Sequence, residues 1–469
     1  MMFKNKYKEA NNDVKVDSSL KEDTIKKMES FNNKRKSPNL AFRVTIIATS
    51  IMIIVSTLLI RNKGMESYAI ALPEYPSKIG FEDFEEEVKR REEIDNKFII
   101  NLNKFSIDTS SQVLRGADRE TNSLFSPISL YMALAMVAET AEGDTQQQII
   151  NALNMPDIDL IKSETGKLFR QLYFHNEIGR LTFANSLWLN KDVAFNENKL
   201  KTLAEDYYAH SFSLDFQDRN SSEKISDWVS ENTGRKLGND PSEFTLNKDQ
   251  VMTLINTVSF YDEWIDTFDK DKTKEDIFYL QDGRQVKNDF MNMKYFSHGF
   301  AHGDGYVVSS LNMKNSNSMI FILPDEDKSP YDIVANPEML KEAISSLSSE
   351  KSGHGEVVFK IPKFNFSSKS ELNDVAKKLG IKDAFHMNNA NFKPLSETKP
   401  LFISDIKQSA YISIDEIGVE ASAFTQIDYV GSALPEGRAD MILDRPFIFV
   451  ITGIDKSPLF VGIINNPTL

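Results

Sequence analysis

Residues 415–429 read Asp-Glu-Ile-Gly-Val-Glu-Ala-Ser-Ala-Phe-Thr-Gln-Ile-Asp-Tyr, and the alternation that begins at Val419 decides the fold. Val419, Ala421, Ala423, Thr425, Ile427 and Tyr429 fall on one face, and Glu420, Ser422, Phe424, Gln426 and Asp428 on the other. That is the two-residue period of a strand, with a small apolar face opposite a mainly polar one. The run does not end like a strand. Gly431, Ser432, Pro435, Glu436 and Gly437 follow, and they have the composition of a long exposed loop. Two readings fit: an ordinary strand that ends in a loop, and a loop able to become a strand by entering a sheet.

Toward the C-terminus, residues 447–451 and 459–464 are nearly all apolar and are separated by Asp455-Lys456-Ser457-Pro458, which predicts a buried hairpin. Toward the N-terminus, residues 181–189, 252–260, 318–323, 356–366 and 411–414 have the aromatic and β-branched enrichment of strands. Helix signals lie earlier. Ser126-Pro127 is a favoured start, with Ser as N-cap and Pro in the first turn, and Leu130, Leu134, Met136 and Val137 make the helix a buried one. A Thr145/Gln148 capping box starts the next helix, and residues 200–209 and 222–232 are helical, the latter closed at Gly234. Helices dominate early and strands late, without regular β-α-β alternation, so the expected class is α+β.

The sequence divides into four parts. Residues 1–40 hold ten Lys/Arg against six Asp/Glu and few large apolar residues, which predicts a disordered basic tail. Within residues 41–61, the stretch 44–60 (VTIIATSIMIIVSTLLI) is 17 residues without a charge, at the lower limit for crossing a bilayer. The competing signal-peptide reading has Ala69-Ile70-Ala71 as a mimic of a cleavage site, but Arg61 and Lys63 intervene. Lys34, Arg35, Lys36 and Arg43 before the span outnumber Arg61 and Lys63 after it, so the N-terminus is expected in the cytoplasm and the body outside. Residues 62–93 are expected as a charged stalk and 94–469 as the functional domain.

Charge and composition exclude several classes of function. With 55 basic and 69 acidic residues the net charge is −14, and no basic face for nucleic acid is expected. The absence of Cys removes disulfides, thiolate metal sites and thiol nucleophiles together. Of six histidines only His298 and His302 approach ligand spacing, and the glycines around them predict a solvated loop, so neither metal nor cofactor is expected. No nucleophile elbow, zinc helix or phosphate loop is present, and nothing supports a hydrolase.

The segment Asp415-Glu416-Ile417-Gly418-Val419-Glu420-Ala421-Ser422-Ala423 resembles the proximal hinge of the reactive loop in serpins, the serine protease inhibitor family. Asn122-Ser123-Leu124-Phe125-Ser126-Pro127-Ile128-Ser129 resembles the family's shutter segment. Leu254-Ile255-Asn256 with Trp264 resembles the third strand of the main sheet and its breach tryptophan. Arg445-Pro446-Phe447 and the 460–467 stretch resemble the loop's return and the closing strand. The matches keep the family order over about 375 residues.

The resemblance implies three β-sheets surrounded by helices, with an exposed reactive loop near the C-terminus offered as protease bait. It implies trapping of a serine protease by cleavage of that loop and its insertion into the central sheet. It assigns the hinge to Glu416, Gly418, Val419, Glu420, Ala421, Ser422 and Ala423, and the shutter and breach to Ser126, Ser129, Asn256, Trp264 and Gln408. Several positions depart from the family: Val419 replaces Thr or Ser, Phe424 a small residue, Gln408 a shutter His, and Asp262 the Gly before the breach tryptophan. Family loop length counted from Glu416 places the reactive bond at Ser432–Ala433, with Leu434 and Arg438 as runners-up. Small residues there suit an elastase- or subtilisin-like target, and some members inhibit cysteine proteases. A non-inhibitory member acting as a binding or chaperone-like protein is the alternative. An anchored body without Cys suits the outer face of a bacterial cell.

Overall fold

The computed structural model describes residues 65–247, 250–350, 352–398, 400–419 and 437–469. Residues 68–469 form one compact unit. In chain order it begins with β1 (Ala69–Ala71), α1 (Phe84–Arg90), α2 (Asn96–Leu114), β2 (Ser123–Phe125), α3 (Pro127–Thr140), α4 (Gly143–Ala152) and α5 (Ile158–Leu172). Next come β3 (Phe174–His175), β4 (Gly179–Asn190), α6 (Glu197–Tyr207), β5 (Ala209–Leu214), α7 (Ser221–Asn232) and β6 (Met252–Glu263). The middle holds β7 (Lys274–Tyr279), β8 (Gln285–Gly303), β9 (Tyr306–Asn312), β10 (Ser318–Pro324), α8 (Pro330–Val334) and α9 (Pro337–Ser345). The last third holds β11 (Ser352–Pro362), β12 (Phe364–Glu371), α10 (Asn373–Lys378), β13 (Lys407–Ile414), β14 (Gly418–Val419), β15 (Arg438–Ile442), β16 (Phe447–Thr452) and β17 (Pro458–Ile464).

The class is α+β, as the order of signals implies. The first sheet runs β1-β5-β4-β6-β13-β12, with β3 on β4 and β14 on β6. The second runs β15-β11-β8-β9-β10-β16-β17-β2, with β7 on β8. The 19-residue β8 explains why the two smaller expected sheets are hydrogen-bonded into one. It pairs with β7 at Gln285–Phe290 and with β9 only at Phe300–Gly303, so it leaves one group of strands and enters the other. The expected hairpin is β16–β17, with Phe447 opposite Ile464. Every residue of α3 is buried, which fits an apolar helix enclosed on all sides.

Local corrections have physical causes. The single run expected over 356–366 is two strands, β11 and β12, broken at Lys363 and assigned to different sheets. The stretch from His298 to Gly303 is the end of β8 and not a loop. Gly303 is required there because a Cβ would meet the Tyr306 ring 2.0 Å away. Thr145 and Gln148 form no capping box. Thr145 Oγ1 accepts from Asn391 N (3.0 Å), and Gln148 Oε1 accepts from Lys382 and Asp383 N (both 2.9 Å), so both side chains dock the 382–391 segment.

Residues 68–93, expected as a stalk, lie against the body. Ala69 and Ala71 pair with Phe212 and Ser211 of β5, extending the first sheet by one strand. Tyr75 packs among Phe169, Tyr173, Tyr208 and His210. The Arg90 guanidinium donates to Tyr173 O (2.7 Å) and Ser77 O (3.2 Å), closing the strap over α5. Charged composition hid this attachment, because it is made by a three-residue strand, the Tyr75 ring and a guanidinium that bonds backbone carbonyls.

Candidate functional site

The first sheet is bonded unevenly along β6. On one side β4 follows it from Gly179–Asp262 to Leu189–Met252. On the other, β13 meets it only at Asn256–Gln408 and Thr257–Ser409, in parallel. Beyond that pin, at the C-terminal end of β6, β14 has begun an antiparallel pairing with Gly418 on Glu263 and Val419 on Asp262. A Cβ on Gly418 would lie 2.3 Å from Asp262 O, so only glycine lets the hinge approach β6 so closely. At the N-terminal end of β6 a cavity of about 420 Å³ lies between Met252 and Leu254, Leu130 and Leu134 of α3, and Ile225 and Val229 of α7. Among the described residues β13 is therefore joined to β6 at one level alone.

Side chains of the expected shutter tie each half of the pin to its other neighbours. Gln408 Oε1 accepts from Ser126 N (2.7 Å) while its Nε2 donates to Ser126 O (2.9 Å). Ser126 Oγ donates to Leu459 O (2.7 Å), so this residue precedes α3 without capping it through its side chain. Asn256 Nδ2 donates to Asn185 Oδ1 (2.6 Å) across to β4. Ser129 Oγ, Asn256 Oδ1 and Thr257 Oγ1 are buried without a partner among the described residues. Such groups each carry a desolvation cost that a rearranged seam could relieve.

At the breach, Trp264 is buried, its indole donates to Asp415 O (3.0 Å), and its backbone N donates to Ile417 O (2.9 Å). Glu416 is clamped by Lys363 (2.9 Å) and by Thr273 Oγ1 (2.9 Å). Burial opposes its ionisation, but Lys363, the backbone and Thr273 outweigh that and hold the carboxyl below its usual range. Asp262 is also buried and has only amide donors, from Asn315 and Asn317 side chains and two backbone N–H groups. Burial dominates there and pushes its pKa up to about 7.

Of the expected hinge, Glu416, Gly418 and Val419 are brought to the breach. Glu420, Ala421, Ser422 and Ala423, and the reactive-bond candidates Ser432, Ala433 and Leu434, lie outside the described residues. Arg438 is held in β15 beside β11, with its guanidinium on Asp440 (2.7 Å) and Glu356 (2.8 Å). Residues 44–60 are likewise outside the description, and among the described residues no helix is long and apolar enough to cross a membrane. Among the described residues no group of His, Asp and Glu could hold a metal ion. His298 Nε2 is spent on Ser310 O (2.7 Å). Asn315, Asn317 and Lys363 were not anticipated, because nothing in their local sequence marks them as more than turn or surface residues.

A family model described as serpin (serine protease inhibitor) matches residues 100–467. The alpha-1-antitrypsin-like protein GS55-MS of Ictidomys tridecemlineatus is 29% identical over 376 residues, covering 79% of this chain and 88% of that protein. An uncharacterized serpin-like protein of Methanosarcina acetivorans is 30% identical over 373 residues, covering 78% and 85%. Among solved structures, the thermophilic serpin tengpin in its native state superposes with a TM-score of 0.70 at 28% identity, over 84% of this chain and 97% of that one. The matched span includes the pinned seam, the breach and the closing hairpin, and the chain belongs to the serpin family.

Proposed function

We propose that this serpin is a suicide-substrate inhibitor of serine proteases, elastase- or subtilisin-like in preference, with its reactive bond at Ser432–Ala433. The observation that carries the reading is β14, in which Gly418 and Val419 pair antiparallel with β6 at the end of the seam between β6 and β13. The target's serine Oγ attacks the carbonyl carbon of Ser432, the peptide bond breaks, and the Ala433 amine leaves with a proton, giving an ester-linked acyl-enzyme. The loop then continues the antiparallel register set by β14. Each further loop residue would step one residue back along β6, so Thr425 would reach Asn256 and Tyr429 would reach Met252, the first residue of the strand.

This register favours Ser432 over Arg438. From Val419 to Ser432 an extended strand covers roughly 45 Å, and it would end just past β6 with the bound protease at the opposite pole. Arg438 would overshoot, and it is an integral residue of β15. The inserting face of Val419, Ala421, Ala423 and Thr425 carries no charge, so it can be buried without an unpaired ion. We further infer that residues 44–60 anchor the chain with the body outside the cell. The bacterial-type reading rests on that anchor and on the absence of Cys.

The test is incubation of the unit with elastase-, subtilisin-, trypsin- and papain-type proteases, followed by denaturing electrophoresis and intact mass. An adduct resistant to denaturation, with release of a peptide beginning at Ala433, is the expected result. Cleavage without an adduct and without a gain in heat stability sinks the inhibitory reading and leaves a binding protein.

A further inference from the structure

Asp262 occupies the place where the last described residue of the hinge, Val419, meets β6. It lies in β6 between Gly179 of β4 and Val419 of β14, and it has no exposed surface. Its Oδ1 accepts from Asn315 Nδ2 (2.8 Å) and Glu263 N (2.9 Å), and its Oδ2 from Asn317 Nδ2 (2.7 Å). Asn315 N lies 3.3 Å from both oxygens. The Asn315 amide cannot turn away, because its own Oδ1 accepts from Asn176 Nδ2 (2.6 Å). A Cβ at Gly179 would meet Asn315 Nδ2 at 2.5 Å, so that glycine leaves the space the amide needs. The donors come from the turn between β9 and β10, so the carboxylate ties the first sheet to the second at the breach.

Among the described residues no cation pairs with this charge. Lys314, on the same turn, is committed to Glu263 (2.7 Å), which Tyr261 also approaches (3.4 Å). On the β4 side Arg180 donates to Ser259 Oγ (3.0 Å), and the adjoining hairpin carries His175 and Glu177, the latter bonded to Phe81 N (3.1 Å). On the hinge side Asp415 accepts from Ile417 N (2.9 Å), and Glu416 is paired with Lys363. A cavity of about 20 Å³ lined by His175, Asn176, Asn315 and Asn317 lies beside the amides, room for about one water.

We propose that Asp262 is a positioning residue for loop insertion: its ionised form favours opening of the seam at the hinge, and its neutral form holds the seam shut. The inference rests on the inhibitory reading above. A buried carboxylate held by amides alone is stabilised when the sheet parts and water reaches it, whereas a carboxyl that carries its proton gains little. The direction follows from linkage. Buried, the group takes up its proton at about pH 7, whereas a hydrated Asp does so near 4. The closed state therefore binds more protons through that window, is favoured as pH falls, and loses its advantage as pH rises toward and above 7.

The experiment compares the wild-type unit of residues 68–469 with Asp262→Asn, using subtilisin, at several pH values from about 6 to about 8.5. The ratio of their adduct-formation rates is read, so that the protease's own pH dependence cancels. The ratio should rise about tenfold in favour of wild type from the acid end to the alkaline end, levelling off once the buried group has lost its proton. In the absence of protease, the wild-type thermal midpoint should fall over the same range while that of the variant stays level. Asp262→Gly, which restores the residue common in the family, stands in if the Asn variant does not fold. Parallel profiles, or a variant that keeps the wild-type pH dependence, overturn the proposal. Adducts at every pH with a flat ratio remove this inference alone, whereas no adduct from either protein at any pH removes the inhibitory reading with it.

Discussion

Gln408 spends both ends of its amide on the backbone of one residue, Ser126, at the entrance of a helix with no exposed residue. A His at this position could serve only one of the two through a given ring nitrogen, so the substitution changes how the shutter is tied and not whether it is tied. Gln408→Leu should leave the Ser126 N–H buried and unpaired, its C=O keeping the bond from Leu130 N (3.3 Å), at a cost of about 1–3 kcal/mol. Denaturant unfolding of the native form should show a lower midpoint, and an unchanged midpoint would mean the pair carries no net stability. The residues that resemblance found, Ser126, Asn256, Trp264, Gln408 and Gly418, all lie in short segments with a recognisable order. Asn315, Asn317 and Lys363 were illegible for a reason of distance. They meet Asp262 and Glu416 across 53 to 55 residues of sequence, and the composition of a turn does not show what its side chains cross to reach.

At the scale of elements, the strands with clear enrichment were legible, and β4, β6, β10, β16 and β17 lie where the pattern put them. β8 was not, because its burial alternates only in part and its glycines imitate a loop. The state of the seam between β6 and β13 was also illegible, since no pattern within either strand says how many of their hydrogen bonds are made to each other. That state has a direct test. Thr257 and Ser409 are register partners at the pin, and the chain has no Cys to compete. Thr257→Cys with Ser409→Cys should, when oxidised, prevent the seam from opening below Val258. The protease would then cleave the loop and leave as from a substrate, with adduct reduced at least about tenfold because hydrolysis wins the race against insertion. Reduction with dithiothreitol should restore the adduct, and an oxidised protein that still traps protease would show that insertion past the pin is unnecessary.

For the whole molecule, the strap bears on two readings of the N-terminus. If residues 44–60 were a cleavable signal, the small-residue triplet available to a peptidase is Ala69-Ile70-Ala71, and that triplet is β1. A cut after Ala71 would remove the strand that covers the edge of β5, leaving the first sheet with an unprotected edge and Tyr75 close to a free terminus. On the proposed anchor reading, retention of the apolar segment would keep β1, and the greater number of Lys and Arg residues before the segment would keep the tail in the cytoplasm. The full chain expressed in cells should therefore remain with carbonate-washed membranes, whereas a chain beginning at residue 68 without the apolar segment should be released. Protease added to intact cells should digest the body and spare the tail. N-terminal sequencing of the mature protein settles the alternative: a first residue at Leu72 would replace the anchor by a cleaved leader, and β1 would then have to be absent from the mature inhibitor.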